Sequence, residues 1–314
     1  MGWASNLSDT WAGRHSRRRA LLWGKRKFMM QWLENPVRRI LCALLVCGFA
    51  GGLSAAAAPL ADPTTLTGGF RLMYDLDFDH AQQVFASWQK QHSDDPLGPA
   101  AQASGLLFAE LHRLGVLEAQ FYENDKAFDA RKKLTPDPAV RDQFNAALDQ
   151  AESEARERLK KDPKDRNSLF ALTLASGLRA DYAALVEKRN LASLGYTKDA
   201  TNWAQQLLAS DPGCYDAYLA TGIGKYIIGS MAAPVRWFLR LGGFAGDKKA
   251  GLDELKITAD KGQYFGPFAR ILLAIAYVRD KDKPKARAVL ASLRDEFPHN
   301  LLFAREIARL DAGN

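Results

Sequence analysis

The sequence predicts an all-α protein, an α-solenoid of antiparallel helix pairs with helical insertions. Twelve residues before each of three prolines lies an alanine, and ten residues after each lies another small residue. The prolines are Pro163, Pro212 and Pro298, the alanines are Ala151, Ala200 and Ala286, and the later small residues are Thr173, Gly222 and Ala308. Small residues recurring at fixed offsets are typical of helix-turn-helix repeats that bury their cores against one another. No long segment with alternating β-branched residues interrupts the helical periodicity.

Residues 1–58 are predicted to be a leader that contains a secretory signal peptide. Arg38 and Arg39 precede an apolar run over residues 40–53, and small residues follow at 54–58. This is the order of a positive region, an apolar region and an Ala-x-Ala cleavage site. We therefore expect a periplasmic or secreted protein after cleavage.

Two details of the leader stay open. Met29 or Met30 is a more conventional start than Met1, because initiation there shortens the positive region to a normal length. Residues 40–58 are also just long enough to span a bilayer, so an uncleaved inner-membrane anchor is the alternative.

The positive charge of the chain belongs to the leader. Residues 1–58 contain nine of the 43 basic residues and two of the 36 acidic ones, so 34 of each remain. Because the chain beyond the leader is formally neutral, its composition does not indicate nucleic-acid binding.

Residues 59–314 are predicted to form one helical domain, since no long Gly-, Pro- or Ser-rich linker divides them. Helical periodicity and helix breakers give the element bounds. The predicted helices are 72–92, 100–128, 139–161, 167–189, 198–210, 215–228, 235–241, 248–261, 267–279, 284–297 and 301–310.

The clearest repeat unit covers residues 267–300, a length of 34 residues. Its repeat-defining positions are Leu273, Ala274, Tyr277, Ala286, Leu290, Leu293 and Pro298. On these residues the chain resembles the tetratricopeptide-repeat (TPR) superfamily, with Arg270 where that family usually has a large aromatic residue. The resemblance implies a scaffold that binds a protein or peptide partner in a helical groove.

Residues 227–251 do not fit an ordinary repeat. Pro234 is expected to start a short helix, Gly242 and Gly243 to end it, and Asp247 to cap the next helix. With its flanking residues the segment resembles a branch of TPR-like proteins that includes eukaryotic mitochondrial-outer-membrane and inclusion-body-clearance proteins.

Two surfaces are candidates for partner binding. In the repeat register, the groove side of the first helices holds Asn167, Phe170, Asp216, Leu219 and Tyr226. The other candidate is the apolar part of segment 227–251 around Trp237 and Phe238, because buried aromatic anchors usually dominate the energy of an interface. That apolar part packs on the core in one interpretation and contacts a partner or a membrane surface in the other.

The sequence predicts no cofactor, metal or catalytic site. Asp247 stands where a phosphate-binding loop needs its second glycine, and His80 replaces the glycine of an EF-hand loop. The histidines lack the short paired spacings of a zinc site, and Cys214 has no histidine partner in sequence. Cys214 is therefore expected to be a small, semi-buried structural residue.

Two classes of function follow. The first is a non-enzymatic scaffold or adaptor of the cell envelope that binds a protein or peptide partner. The second is an enzyme or small-ligand-binding protein that uses segment 227–251 as a lid. The partner, the pathway and the oligomeric state are not encoded in any motif of the chain.

Overall fold

A computed structural model describes residues 62, 64–117, 134–243 and 245–312. These residues form twelve α-helices and no strand, which confirms the all-α prediction. The predicted leader and residues 118–128 of the helix predicted over 100–128 lie outside the described residues. Within the described residues that prediction is wrong beyond Arg113, where the helix ends and Gly115 adopts a left-handed φ of 64°.

The helices are joined mostly by short turns. The first six are α1 (Leu66–Tyr74), α2 (Phe78–Gln91), α3 (Leu97–Arg113), α4 (Pro138–Lys161), α5 (Arg166–Asp181) and α6 (Asn190–Ser210). The last six are α7 (Tyr218–Gly229), α8 (Ala233–Leu241), α9 (Lys248–Lys261), α10 (Gly266–Arg279), α11 (Lys283–Glu296) and α12 (Leu301–Asp311). A π-helical turn, Tyr182–Val186, extends α5, and a 3₁₀ turn, Tyr215–Ala217, precedes α7.

The prediction of one helix over residues 72–92 is wrong. The structure has two helices there, and Leu76 between them adopts a left-handed φ of 66°. The side chain of Asp77 accepts a hydrogen bond from the backbone N–H of His80, which caps the start of α2. The helix predicted over 198–210 also starts eight residues earlier, at Asn190.

Most helices of the described region pack against their neighbours in the chain, but α7 packs mainly on α9, and α8 makes few contacts with any other helix. Consecutive helices contact each other from α1 to α7 and again from α9 to α12. Contacts also join α3 to α5 and α7 to α9. The buried apolar side chains form one continuous core from Leu66 to Leu310. This neighbour-to-neighbour packing places the short helix α8 at the surface.

Most of the small residues in the predicted register are buried, including Thr173 and Gly222. Ala151, Ala200 and Ala286 are all buried. At the crossing of α7 and α9, a Cβ added to Gly251 would lie 2.7 Å from the carbonyl oxygen of Gly222. Ala308 is exposed instead, because no described helix follows α12 to cover it.

The two ends of the described fold meet. Arg71 in α1 forms an ion pair with Glu296 in α11, with 2.6 Å between Nη1 and Oε1. In the core beside this contact, the ring of Phe70 packs on the rings of Tyr264 and Phe265, which precede α10. The first helix therefore fills space that an open row of helix pairs would leave to solvent.

Candidate binding surface and internal cavity

Helix α8 begins and ends where the sequence predicts. Pro234 lies in its first turn, where a missing backbone N–H costs little. Gly242 caps its end, and Gly243 then takes a left-handed φ of 80°, a conformation that favours glycine. The side chain of Asp247 caps α9 by accepting the backbone N–H groups of Lys249 and Ala250, as predicted.

The exposed side of α8 is apolar. Its inner side packs on the core through Val235, which is 1% exposed, and Leu239. On the outer side Trp237 is 65% exposed, Phe238 43% and Leu241 70%. Trp237 and Leu241 are four residues apart and thus share one helix face. We refer to Trp237, Phe238 and Leu241 as the α8 apolar patch.

Two arginines, Arg236 and Arg240, flank the aromatic residues of the α8 apolar patch in the sequence. Residues 230–246 contain two arginines and no acidic residue. Arg236 donates to the carbonyl oxygens of Gly229 and Met231 at 3.1 Å, which fastens α8 to the end of α7. The exposed Arg240 lines a cleft of about 370 Å³, together with Lys198 of α6.

The groove residues proposed from the sequence occupy different environments. Phe170, Asp216 and Tyr226 are buried, whereas Asn167 and Leu219 are half-buried. Phe170 and Asp216 line an internal cavity together with Leu219, whereas a partner would reach Tyr226 only by displacing the helices that cover it. Of the seven residues proposed from the sequence, Trp237 and Phe238 are the exposed ones.

The side chains of Asn167 and Asp216 already form hydrogen bonds within the fold. Asn167 donates from Nδ2 to Oδ2 of Asp95 at 2.6 Å. The carboxylate of Asp216 accepts the backbone N–H groups of Gln263, Tyr264 and Phe265 at 2.8 to 3.0 Å. Burial raises the pKa of Asp216, and these three hydrogen bonds oppose that shift. Asp216 thus holds the turn that leads into α10.

An internal cavity of about 100 Å³, partly open to solvent, lies among α1, α3, α5, α6, α7 and α10. One side of it is the face of α5 that runs from Phe170 through Thr173 and Gly177 to Asp181. The cavity is predominantly apolar, and its aromatic lining residues are Tyr74, Phe108, Phe170, Phe265 and Phe268. No motif of the sequence indicates a cavity, but three of the predicted groove residues, Phe170, Asp216 and Leu219, line it.

Asp181 contributes a carboxylate to the cavity. It makes no side-chain hydrogen bond to the turn that it precedes, and burial raises its pKa to about 7. The side chain is surrounded by protein but keeps some accessible surface, because it faces the cavity. The available signal was one acidic residue, four positions after Gly177, in a helical stretch that is mostly apolar apart from Arg179.

The remaining features of the part of the chain that the structure describes concern metal ligands, the Cys214 thiol and membrane-spanning helices. No group of three His, Cys, Asp or Glu side chains is placed to hold a metal ion there. Cys214 is buried, as expected, and burial raises the pKa of its thiol to about 11. One helical stretch, Arg166–Val186, is long and apolar enough to cross a membrane, but most of it is buried inside the fold.

The fold and the surface thus define an all-α helical protein with an exposed apolar helix. Comparisons with protein-family models, with curated proteins and with solved structures find no match for the chain.

Proposed function

We propose that this chain is a TPR-like helical scaffold of the cell envelope and that it binds a partner protein through the α8 apolar patch. The scaffold part of the proposal is supported by the repeat register and by the packing of most helices on their neighbours. The envelope location is supported by the leader pattern.

The exposure of Trp237 is the observation that carries the binding proposal. A tryptophan side chain buries about 200 Å² when it is covered, and apolar area contributes about 25 cal/mol per Å². Since 65% of Trp237 is exposed, covering it contributes on the order of 3 kcal/mol. Phe238 and Leu241 extend the same surface, so the patch has the aromatic centre typical of an interface hot spot.

The charges around the patch define the chemistry of the partner. Arg240 and Lys198 line the cleft beside the patch, and the carboxylate of Asp247 in the same cleft already accepts two backbone N–H groups of α9. The inner side of α8 already packs on the core through Val235, so the partner must bind to the outer side of the helix. A helix or extended segment with apolar side chains and flanking carboxylates matches this surface.

The test is site-specific photo-crosslinking from the α8 apolar patch. A benzophenone amino acid replaces Trp237 or Leu241, and in matched controls it replaces the exposed Leu191 or Leu301 on other helices. We expect the same envelope protein to be cross-linked from both patch positions and from neither control. The purified partner should then bind Trp237→Ala at least about tenfold more weakly than the parent, the loss of one hot-spot side chain.

Two results would contradict this proposal. In one, the partner binds Trp237→Ala as tightly as the parent while Asn167→Ala, in the groove register, loses it. In the other, the chain floats with vesicles of anionic phospholipid, Trp237→Ala does not, and no protein is cross-linked from the patch. The occupant of the patch would then be a membrane surface.

The second class of function is an enzyme or ligand-binding protein with segment 227–251 as a lid. It requires residues of that segment to line the cavity that they would cover. Among the described residues of that segment, none lines the internal cavity. Several of them, from Ile228 to Ala250, line the cleft beside α8 instead. The internal cavity therefore needs a separate explanation.

A further inference from the structure

We propose that the internal cavity is a binding site for a small single-chain molecule with an apolar tail and an ammonium head, and that Asp181 binds the head. This site is separate from the α8 apolar patch, because no residue of the patch lines the cavity. The proposal does not depend on the identity of the partner protein.

The shape of the cavity indicates a chain-like ligand. Phe170 and Asp181 both line it and are eleven residues apart on α5. At a rise of 1.5 Å per residue the two positions are about 16 Å apart along the helix. The lining face of α5 between them is formed by Thr173, Leu174 and Gly177. A cavity whose lining follows three turns of a helix fits an extended alkyl chain better than a compact ring.

The two ends of the cavity differ in chemistry. At the Phe170 end the lining includes Phe265, whose ring packs on that of Phe170. The acidic residue near that end, Asp216, has its carboxylate occupied by three backbone N–H groups. That end therefore suits an apolar tail.

The Asp181 end suits a cationic head. The neighbouring hydroxyl of Thr197 donates to the carbonyl oxygen of Ser193 in its own helix at 2.9 Å, so it is not a donor to Asp181. The carboxylate of Asp181 forms no hydrogen bond or ion pair with any residue of the described region. A carboxylate in apolar surroundings gains most from a ligand that brings a positive charge and N–H donors.

Substitution of Gly177 can fill the cavity, because this glycine lines it. A Cβ built at Gly177 has no atom within 4 Å, although the residue lies in the middle of α5. A larger side chain at this position therefore extends into the cavity. Gly195, in the middle of α6, has the same freedom but is exposed on the outside of the fold. The two glycines form a matched pair for substitution.

The experiment is calorimetric titration of the full chain with octylamine, octanol and octanoate at about pH 8, where Asp181 is mostly ionised. We expect octylamine to bind most tightly and octanoate most weakly. Asp181→Asn should weaken octylamine at least about tenfold and change octanol binding little, because only the ammonium head loses a charged partner. Equal binding of octylamine to the parent and to Asp181→Asn would overturn the proposal.

The glycine pair tests whether the ligand occupies the cavity. Gly177→Leu should abolish binding of octylamine and octanol, whereas Gly195→Leu should retain both. Where Gly177→Leu does not give the circular dichroism spectrum of the parent, Ala220→Leu fills the same cavity from α7. Binding that survives the cavity-filling substitution, or a parent protein that binds none of the three probes, would show that the cavity is not a ligand site.

Discussion

Asn300 donates a hydrogen bond from Nδ2 to the carbonyl oxygen of Tyr74, with 2.8 Å between the two atoms, and so joins α12 to α1. The bond is buried and connects residues that are 226 positions apart. The Oδ1 atom of Asn300 also accepts the backbone N–H of Leu302 and caps α12. One side chain thus starts the last helix and ties it to the first.

Two substitutions separate these roles of Asn300. Asn300→Ala removes the cap, worth about 1 kcal/mol, and leaves a buried carbonyl unsatisfied, which costs about 1–3 kcal/mol more. Asn300→Ser keeps a capping oxygen but is too short to reach Tyr74. We expect Ser to be less destabilising than Ala, with both below the parent in urea unfolding. Parent-like stability of both variants would mean that the hydrogen bond joining α12 to α1 contributes nothing to the free energy of unfolding.

Leucine substitutions at two predicted crossing alanines should differ in cost. Ala286 is fully buried on the inner side of α11, so Ala286→Leu should cost about 1–3 kcal/mol. Ala200 also lies at the cavity, which offers space for the added methylenes, so Ala200→Leu should cost less. Thermal unfolding of both variants measures the difference. Equal costs would contradict the placement of Ala200.

Alanine substitutions at two helix glycines should change stability in opposite directions. A Cβ at Gly251 would lie 2.5 Å from the backbone nitrogen of Tyr226, so Gly251→Ala must separate α9 from α7 and should cost about 1–3 kcal/mol. Gly177→Ala meets no atom and should stabilise α5 by about 0.5–1 kcal/mol, because alanine restricts the unfolded chain. Destabilisation by both substitutions would show that the open space at Gly177 is misplaced.

The pH dependence of stability should change when Asp181 is replaced. The folded pKa of Asp181 is about 7, above its ordinary value of 3.8, so ionisation favours the unfolded state. The resulting penalty is absent below about pH 4, grows between pH 4 and 7 and is constant above about pH 7. Asp181→Asn should therefore gain stability relative to the parent as pH rises through that window. We expect a gain on the order of 2 kcal/mol, below the full linkage value because the side chain keeps accessible surface.

Urea unfolding of the parent and of Asp181→Asn at matched pH values measures this gain. Comparison at each pH cancels groups that both proteins share, including His80 and His299, whose pKa values are raised by Asp77 and Asp75. A stability difference that stays constant from about pH 4 to pH 8 would contradict a buried, unpaired carboxylate at position 181.

The position of the mature N-terminus tests the prediction of a cleaved leader. Export should be followed by cleavage near residues 56–58, because these small residues follow the apolar run. Mass spectrometry of the mature N-terminus gives the position. Intact protein that retains residues 40–58 in the membrane fraction would support the anchored alternative.

The sequence by itself determined the helix class, most helix boundaries and the local caps. Helical periodicity and residues such as Pro234, Gly243 and Asp247 act within a few positions of the chain, so their effect is readable without a fold. The spacing of Ala151 and Ala286 likewise indicated burial, since a repeat register is a local property.

Only the tertiary structure decided which candidate surface is accessible. The register placed Phe170 and Tyr226 on a groove side, but the packing of α1 against the residues that precede α10 and the crossing of α7 and α9 bury them. The cavity that ends at Asp181 also requires six helices to be placed together. Burial and enclosed volume depend on contacts between residues distant in sequence, and a pattern within one helix carries no information about them.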